Sequence, residues 1–94
     1  MPVRRLVMDV DKTVDEPDLI TLAQAIEKVH GVQAVNITVN DIDIETVGTD
    51  ITVEGEDIDV PAVVRSIEHV GAVVHSIDQV IVGAYALERV PRSR

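Results

Sequence analysis

The chain has 94 residues and a mass of 10.2 kDa, which is room for one domain and excludes most multi-domain enzymes. Seventeen acidic residues against 8 basic give a formal net charge of -9, so nucleic acid, itself a polyanion, is an unfavourable partner. Hydrophobic residues at 46% predict a folded chain, while the absence of cysteine removes disulfides and thiolate chemistry.

The acidic surplus is carried by Asp and Glu against only two lysines, Lys12 and Lys28. Such a surface repels itself in dilute buffer and becomes tolerable near ~1 M salt, where the screening length is about 3 Å. A salt-adapted protein and a mildly acidic one both fit this pattern. The single aromatic residue, Tyr85, leaves no stacking platform for bases. The N-terminal apolar stretch is broken by Arg4, Arg5 and Asp9 within a few residues, so neither a signal peptide nor a spanning helix is expected, and a cytoplasmic location is the default.

Taken in chain order, Val3 to Asp11 alternates as a half-buried strand, with Leu6, Met8 and Val10 on one side and Arg5, Val7, Asp9 and Asp11 on the other. From Asp18 to His30 the period becomes helical: Leu19, Leu22, Ala23, Ile26 and Val29 share one stripe, with Pro17-Asp18 as start signal and Gly31 as stop. Val32 to Ile44 reads as a second strand with Val35, Ile37 and Val39 inward. Its apolar parity slips to Ile42 and Ile44, which predicts a bulge near Asn40-Asp41. Glu45 to Asp50, centred on Gly48, reads as a hairpin turn, and Ile51 to Gly55 as the third strand. Asp59 caps a second helix with the stripe Val63, Val64, Ile67 and Val70, Pro61 in its first turn and Gly71 at its end. Ala72 to Val82 is the fourth strand, and residues 91–94 are expected to form a loose tail of the single domain 1–94.

Ile26-Glu27-Lys28-Val29 before Gly31 recurs as Ile67-Glu68-His69-Val70 before Gly71, so the chain is a βαβ unit twice over. The order βαββαβ predicts a ferredoxin-like α+β sandwich, with an antiparallel four-stranded sheet carrying both helices on one face.

Chemistry is sparse along this frame. Asp9 and Asp11 share a strand face, and Asp41, Asp43 and Glu45 repeat the spacing at the hairpin, which makes them candidate ligands for calcium or magnesium. A solvated acidic edge is the competing interpretation. A calcium-binding EF-hand loop is excluded, because its required Gly and Glu positions are Val14 and Ile20 counted from Asp9, and Thr46 and Thr52 counted from Asp41. His30 and His69 fall near helix C-termini, where an imidazolium suits the dipole, and His75 with Asp78 can pair only if the strand is broken there. With no serine elbow, phosphate loop or His-Glu motif, the expectation is a protein that is not an enzyme and needs no cofactor.

The run Val80 to Leu87 has no charge, and a strand apolar on both sides needs a second cover beyond the helices. A second copy of the chain is the simplest cover, with Val80, Val82, Tyr85 and Leu87 as its interface. Folding of the run back over its own sheet is the alternative.

Four blocks in order resemble a known archaeal family: Arg4-Arg5-Leu6-Val7-Met8-Asp9-Val10; Val35-Asn36-Ile37 with Ile42-Asp43 and Glu45-Thr46; Val53-Glu54-Gly55-Glu56-Asp57-Ile58-Asp59; and Val74-His75-Ser76-Ile77-Asp78 with Val82-Gly83. This is the family catalogued as domain of unknown function number 211. The resemblance implies a ferredoxin-like fold, a cytoplasmic homo-oligomer of which a ring is one form, and no assigned activity. It adds no catalytic residues, and the segment Asp11 to Glu16 fits it less closely. The expectation is a small acidic binding or regulatory module that assembles with itself, with no nucleic acid or membrane partner and a small-molecule ligand of unspecified class. Cation binding by sheet and hairpin carboxylates is the alternative.

Overall fold

A computed structural model describes residues 2–90, and the tail expected at 91–94 lies outside the described residues. Six elements succeed one another: β1 (Val3–Thr13), α1 (Leu19–Glu27), β2 (Val32–Ile42), β3 (Thr46–Gly55), α2 (Val60–His69) and β4 (Val73–Val82). The order is βαββαβ. The strands form one antiparallel sheet in the order β2-β3-β1-β4, so β1 and β3 are central and β2 and β4 are edges.

The helices begin where the sequence supplies a cap. The Asp18 carboxylate accepts from the Thr21 backbone N–H at 2.7 Å, and Asp59 does the same for Ala62 at 3.2 Å, with Pro61 in the first turn of α2. The Thr21 backbone bond holds the Asp18 carboxyl below its ordinary value. Helix α1 is shorter than its apolar stripe: it stops at Glu27, and the chain turns at Gly31, whose φ of +91° is the left-handed conformation that glycine adopts freely.

Both helices lie on one face of the sheet. The side chains of Leu6, Met8 and Val10 from β1 and Ile51 and Val53 from β3 meet Leu22, Ile26, Val63 and Ile67 from the helices, all fully buried. Ile58 and Ala72 belong to the same core. Among polar residues the same face buries Thr49, whose hydroxyl donates to the Val10 carbonyl at 2.8 Å. It also buries Lys12, whose ammonium donates to the carbonyls of Thr13 and Val14.

The bulge expected near Asn40-Asp41 is present as a one-residue register shift between Val39 and Asp41. Its surroundings differ from the expectation. Gly48 is not the centre of a turn but lies inside β3, which starts at Thr46, five residues earlier than the alternation of Ile51 and Val53 indicates. The reversal is confined to residues 43–45, where Asp43 N–H donates to the Thr46 carbonyl. The glycine is explained by the bulge: a Cβ at position 48 would stand 2.7 Å from Asn40 Oδ1, so glycine is what lets the extra residue of β2 fold across β3. Ile42 and Ile44 are correspondingly not part of the core. Ile42, opposite Val47, is 71% exposed, and Ile44, at the tip, is 91% exposed.

Candidate functional site

The sheet face without helices is built from the alternate residues of each strand. Arg5, Val7, Asp9 and Asp11 come from β1, and register partners Glu54, Thr52, Asp50 and Gly48 come from β3. Asn36, Thr38 and Asp41 continue the rows on β2, and Gln79, Ser76 and Val73 on β4. The middle of this face is acidic and hydroxyl-lined: Asp9 has Asp50 directly across on one side and Ser76 on the other. Like charges directly opposite disfavour the pairing. Asp50 is offset by Asn40, whose amide donates to it at 3.0 Å.

The five candidate carboxylates of the sequence do not converge. Asp9 and Asp11 lie on the central strand, and Asp41 flanks Gly48 on edge strand β2. Asp43 and Glu45 belong to the hairpin tip, where the Asp43 carboxylate accepts from the Ile44 N–H at 2.8 Å. Among the described residues no group of three or more His, Asp or Glu is placed to hold a metal ion. The acidic residue that does face Asp9 is Asp50, which the sequence pattern assigns to a turn and so does not single out. The alternation of Val47, Thr49, Ile51 and Val53 with Gly48, Asp50, Thr52 and Glu54 is the signal that could have found it.

His75 and Asp78 occupy irregular positions of β4. The β1 register passes from Gln79 to Ile77 and from Ser76 to Val74, so Asp78 and His75 are the two residues skipped. Both are exposed, and Asp78 accepts from the Ser76 hydroxyl at 2.8 Å.

The opposite end of this face is organised by Arg5. Its guanidinium donates to Glu54 at 2.7 Å and, through both terminal nitrogens, to the two oxygens of Glu88 at 3.0 and 2.9 Å. This forked geometry raises Arg5 above its ordinary value, with Glu88 as the larger cause and Glu54 the next, and lowers Glu88 correspondingly. Glu88 comes after β4 in sequence, so the pair brings the segment 84–90 back over the sheet as a strap. Arg4 secures the turn, donating from Nε to the Gly83 carbonyl at 2.6 Å, and the Gly83 N–H donates to the Pro2 carbonyl. Ile81, the register partner of Arg5, is only 6% exposed although it is outside the helix-side core. The returning strap is in place to cover it. The chain therefore wraps over its own sheet at this end, yet Tyr85 is 72% exposed, and Leu87 and Val90 also face solvent. Val80 and Val82, on the adjoining edge strand, are about half exposed. A shallow depression of about 560 Å³ lies beside Glu54, lined by Ala34, Val35, Asn36 and Thr52. No helix among the described residues is long and apolar enough to cross a membrane.

A two-layer βαββαβ sandwich with an antiparallel sheet is a ferredoxin-like domain, and its exposed chemistry is a polar sheet face bordered by an apolar edge. Within that class the chain belongs to the family described as "Uncharacterized ArCR", domain of unknown function 211, whose model matches residues 4–94. It is also similar to the uncharacterised protein MJ0319 of Methanocaldococcus jannaschii, with 36% identity over 94 residues, covering 98% of this chain and 96% of that one.

Proposed function

We propose that this protein is a small, non-enzymatic binding or regulatory module that works as a homo-oligomer in the cytoplasm. The observation that carries the reading is the uncharged run from β4 into the strap: Val80, Val82, Tyr85 and Leu87 are half or more exposed in a single chain. Water-facing apolar side chains concentrated along one edge are what an association surface requires. Edge strand β4 adds a row of unpaired backbone groups on the same side. Tyr85 is the natural anchor, being large and amphipathic. Light scattering at tens of micromolar chain and molar salt is expected to find an oligomer, and Tyr85→Asp or Val82→Asp to find monomer. A monomeric wild type would end this reading.

A second reading, divalent-cation binding, is favoured by one observation: Asp9 and Asp50 oppose each other across the central strands with Ser76 beside them. A cation there would relieve their repulsion. It is tested by melting the protein with calcium and with chelator. A site raises the melting temperature by mass action, and Asp50→Asn removes that rise, whereas an unchanged melt rejects the site.

A further inference from the structure

Arg5 stands on central strand β1 with a side chain only 17% exposed. Glu54, its register partner on β3, takes the Nε–H at 2.7 Å and so fixes the plane of the guanidinium. The two terminal nitrogens are left pointing at one place. There they hold both oxygens of Glu88, at 3.0 and 2.9 Å, in the forked arrangement by which arginine recognises a carboxylate.

The holder and the held are built differently. Arg5 and Glu54 are set by the pairing of the two central strands, whereas Glu88 belongs to no helix or strand and its side chain is 72% exposed. Around it Tyr85, Leu87 and Val90 face solvent and anchor nothing. An exposed ion pair of this kind closes with a constant of only about one to five, so the strap exchanges between latched and open. A free carboxylate that reaches the same fork competes with Glu88.

The surroundings say which carboxylate. Among the described residues Glu54 accepts only through Oε2, which leaves Oε1 for a further donor. Glu54 also lines the depression of about 560 Å³ that it shares with Asn36 and Thr52, a size within the roughly 300–1,000 Å³ of small-molecule sites. With Glu88 away, one cation stands beside one anion on a chain whose net charge is -9. That charge repels a dicarboxylate, and a plain monocarboxylate has nothing to offer Glu54. A zwitterion matches both groups.

We infer that Arg5 and Glu54 form a binding site for a zwitterionic amino acid, its carboxylate on the terminal nitrogens of Arg5 and its ammonium toward Glu54, with Glu88 as a tethered competitor that fills the carboxylate half when no ligand is bound. The site is formed within one chain and goes beyond the self-association proposed above. Binding displaces Glu88 and frees the strap.

The test titrates the isotope-labelled full chain with glycine, β-alanine and γ-aminobutyrate, which carry the two charges at increasing separation, and with butyrate as the carboxylate alone. Backbone amide resonances of Leu87, Glu88 and Thr52 are followed by NMR. At least one zwitterion is expected to shift them saturably and to bind more tightly than butyrate. In Glu88→Gln its apparent affinity should rise about two- to sixfold, the factor by which the latch holds the site closed. Glu54→Gln should lower it to that of butyrate, and Arg5→Gln should abolish it, with circular dichroism checking the fold. If Arg5→Gln does not fold, Arg5→Lys, which keeps the charge without the fork, should bind more weakly than wild type. An affinity unchanged in Glu88→Gln overturns the proposal, as does butyrate binding as tightly as the zwitterions, or no saturable shift with any zwitterion in either protein. Light scattering reads self-association separately, so failure of this site and failure of the assembly are distinguished.

Discussion

The two faces of this sheet are made from the same four strands by alternate residues, and they have opposite characters. On the helix side, Leu6, Met8, Val10, Ile51 and Val53 are fully buried. On the other side, their neighbours Arg5, Asp9, Asp50, Thr52 and Glu54 form a charged and hydroxyl-bearing surface. The unhelical face is therefore not half of a missing core awaiting a second apolar layer. The surplus apolar surface is displaced to the rims, at the hairpin tip, along β4 and on the strap. The comparison teaches that the two faces of one sheet can divide the work of packing and solvation. The central acidic rows stay in water, where mutual repulsion is screened, and the exposed apolar side chains lie at the edges.

The comparison is broken most strongly by exchanging side chains between neighbouring positions. Ile51→Ala, on the helix side of β3, is expected to cost about 2–5 kcal/mol in urea unfolding. Thr52→Ala, one residue on but on the polar face, should stay within about 0.5 kcal/mol. Similar losses at both positions would mean that the second face is also packed in solution.

A smaller effect sharpens the electrostatic half of the comparison. Asp9→Asn removes one of two carboxylates placed directly opposite and should stabilise the fold by about 0.2–1 kcal/mol at low ionic strength. The gain should fade toward molar salt, where wild type itself is expected to melt higher than in dilute buffer. Thermal melts of both proteins across that salt range measure it. A wild-type melting temperature that is flat or falling with salt contradicts the repulsive surface.

The smallest effect concerns the strap. Arg5 lowers the Glu88 carboxyl relative to the unfolded chain, so its contribution is complete above the unfolded carboxylate value of about pH 4.3. It is lost as pH falls through the depressed folded value, with the strap loosening on the acid side. The Glu88 side-chain carboxyl carbon should report this titration by NMR, with a midpoint that rises when Arg5 is replaced by glutamine.

Much of this fold is legible along the chain, because the signals are local. Period-two alternation places Leu6, Met8 and Val10 inward, the 3.6-residue stripe places Leu22 and Ile26, Asp18 and Asp59 mark the helix starts, and a slip in parity marks the bulge by Asn40. Where the structure departs from these expectations, a local signal has a non-local cause. Gly48 resembles a turn residue in sequence, but its smallness serves the Asn40 side chain arriving from another strand. The uncharged run Val80 to Leu87 is visible in the sequence, but not that Glu88, just beyond it, returns to Arg5.

By itself the sequence determined the elements, their caps, the apolar stripe and the sign of the surface, since each depends on residues within a few positions of one another. Only the tertiary structure decided the order β2-β3-β1-β4, and with it everything that depends on neighbours distant in the chain. That order sets Asp9 against Asp50, closes Arg5 on Glu54 and Glu88, and sends the apolar tip and the apolar strap to opposite corners. Strand pairing depends on which buried faces can be joined with the backbone fully hydrogen-bonded, a choice made by the whole chain at once and recorded in no single segment.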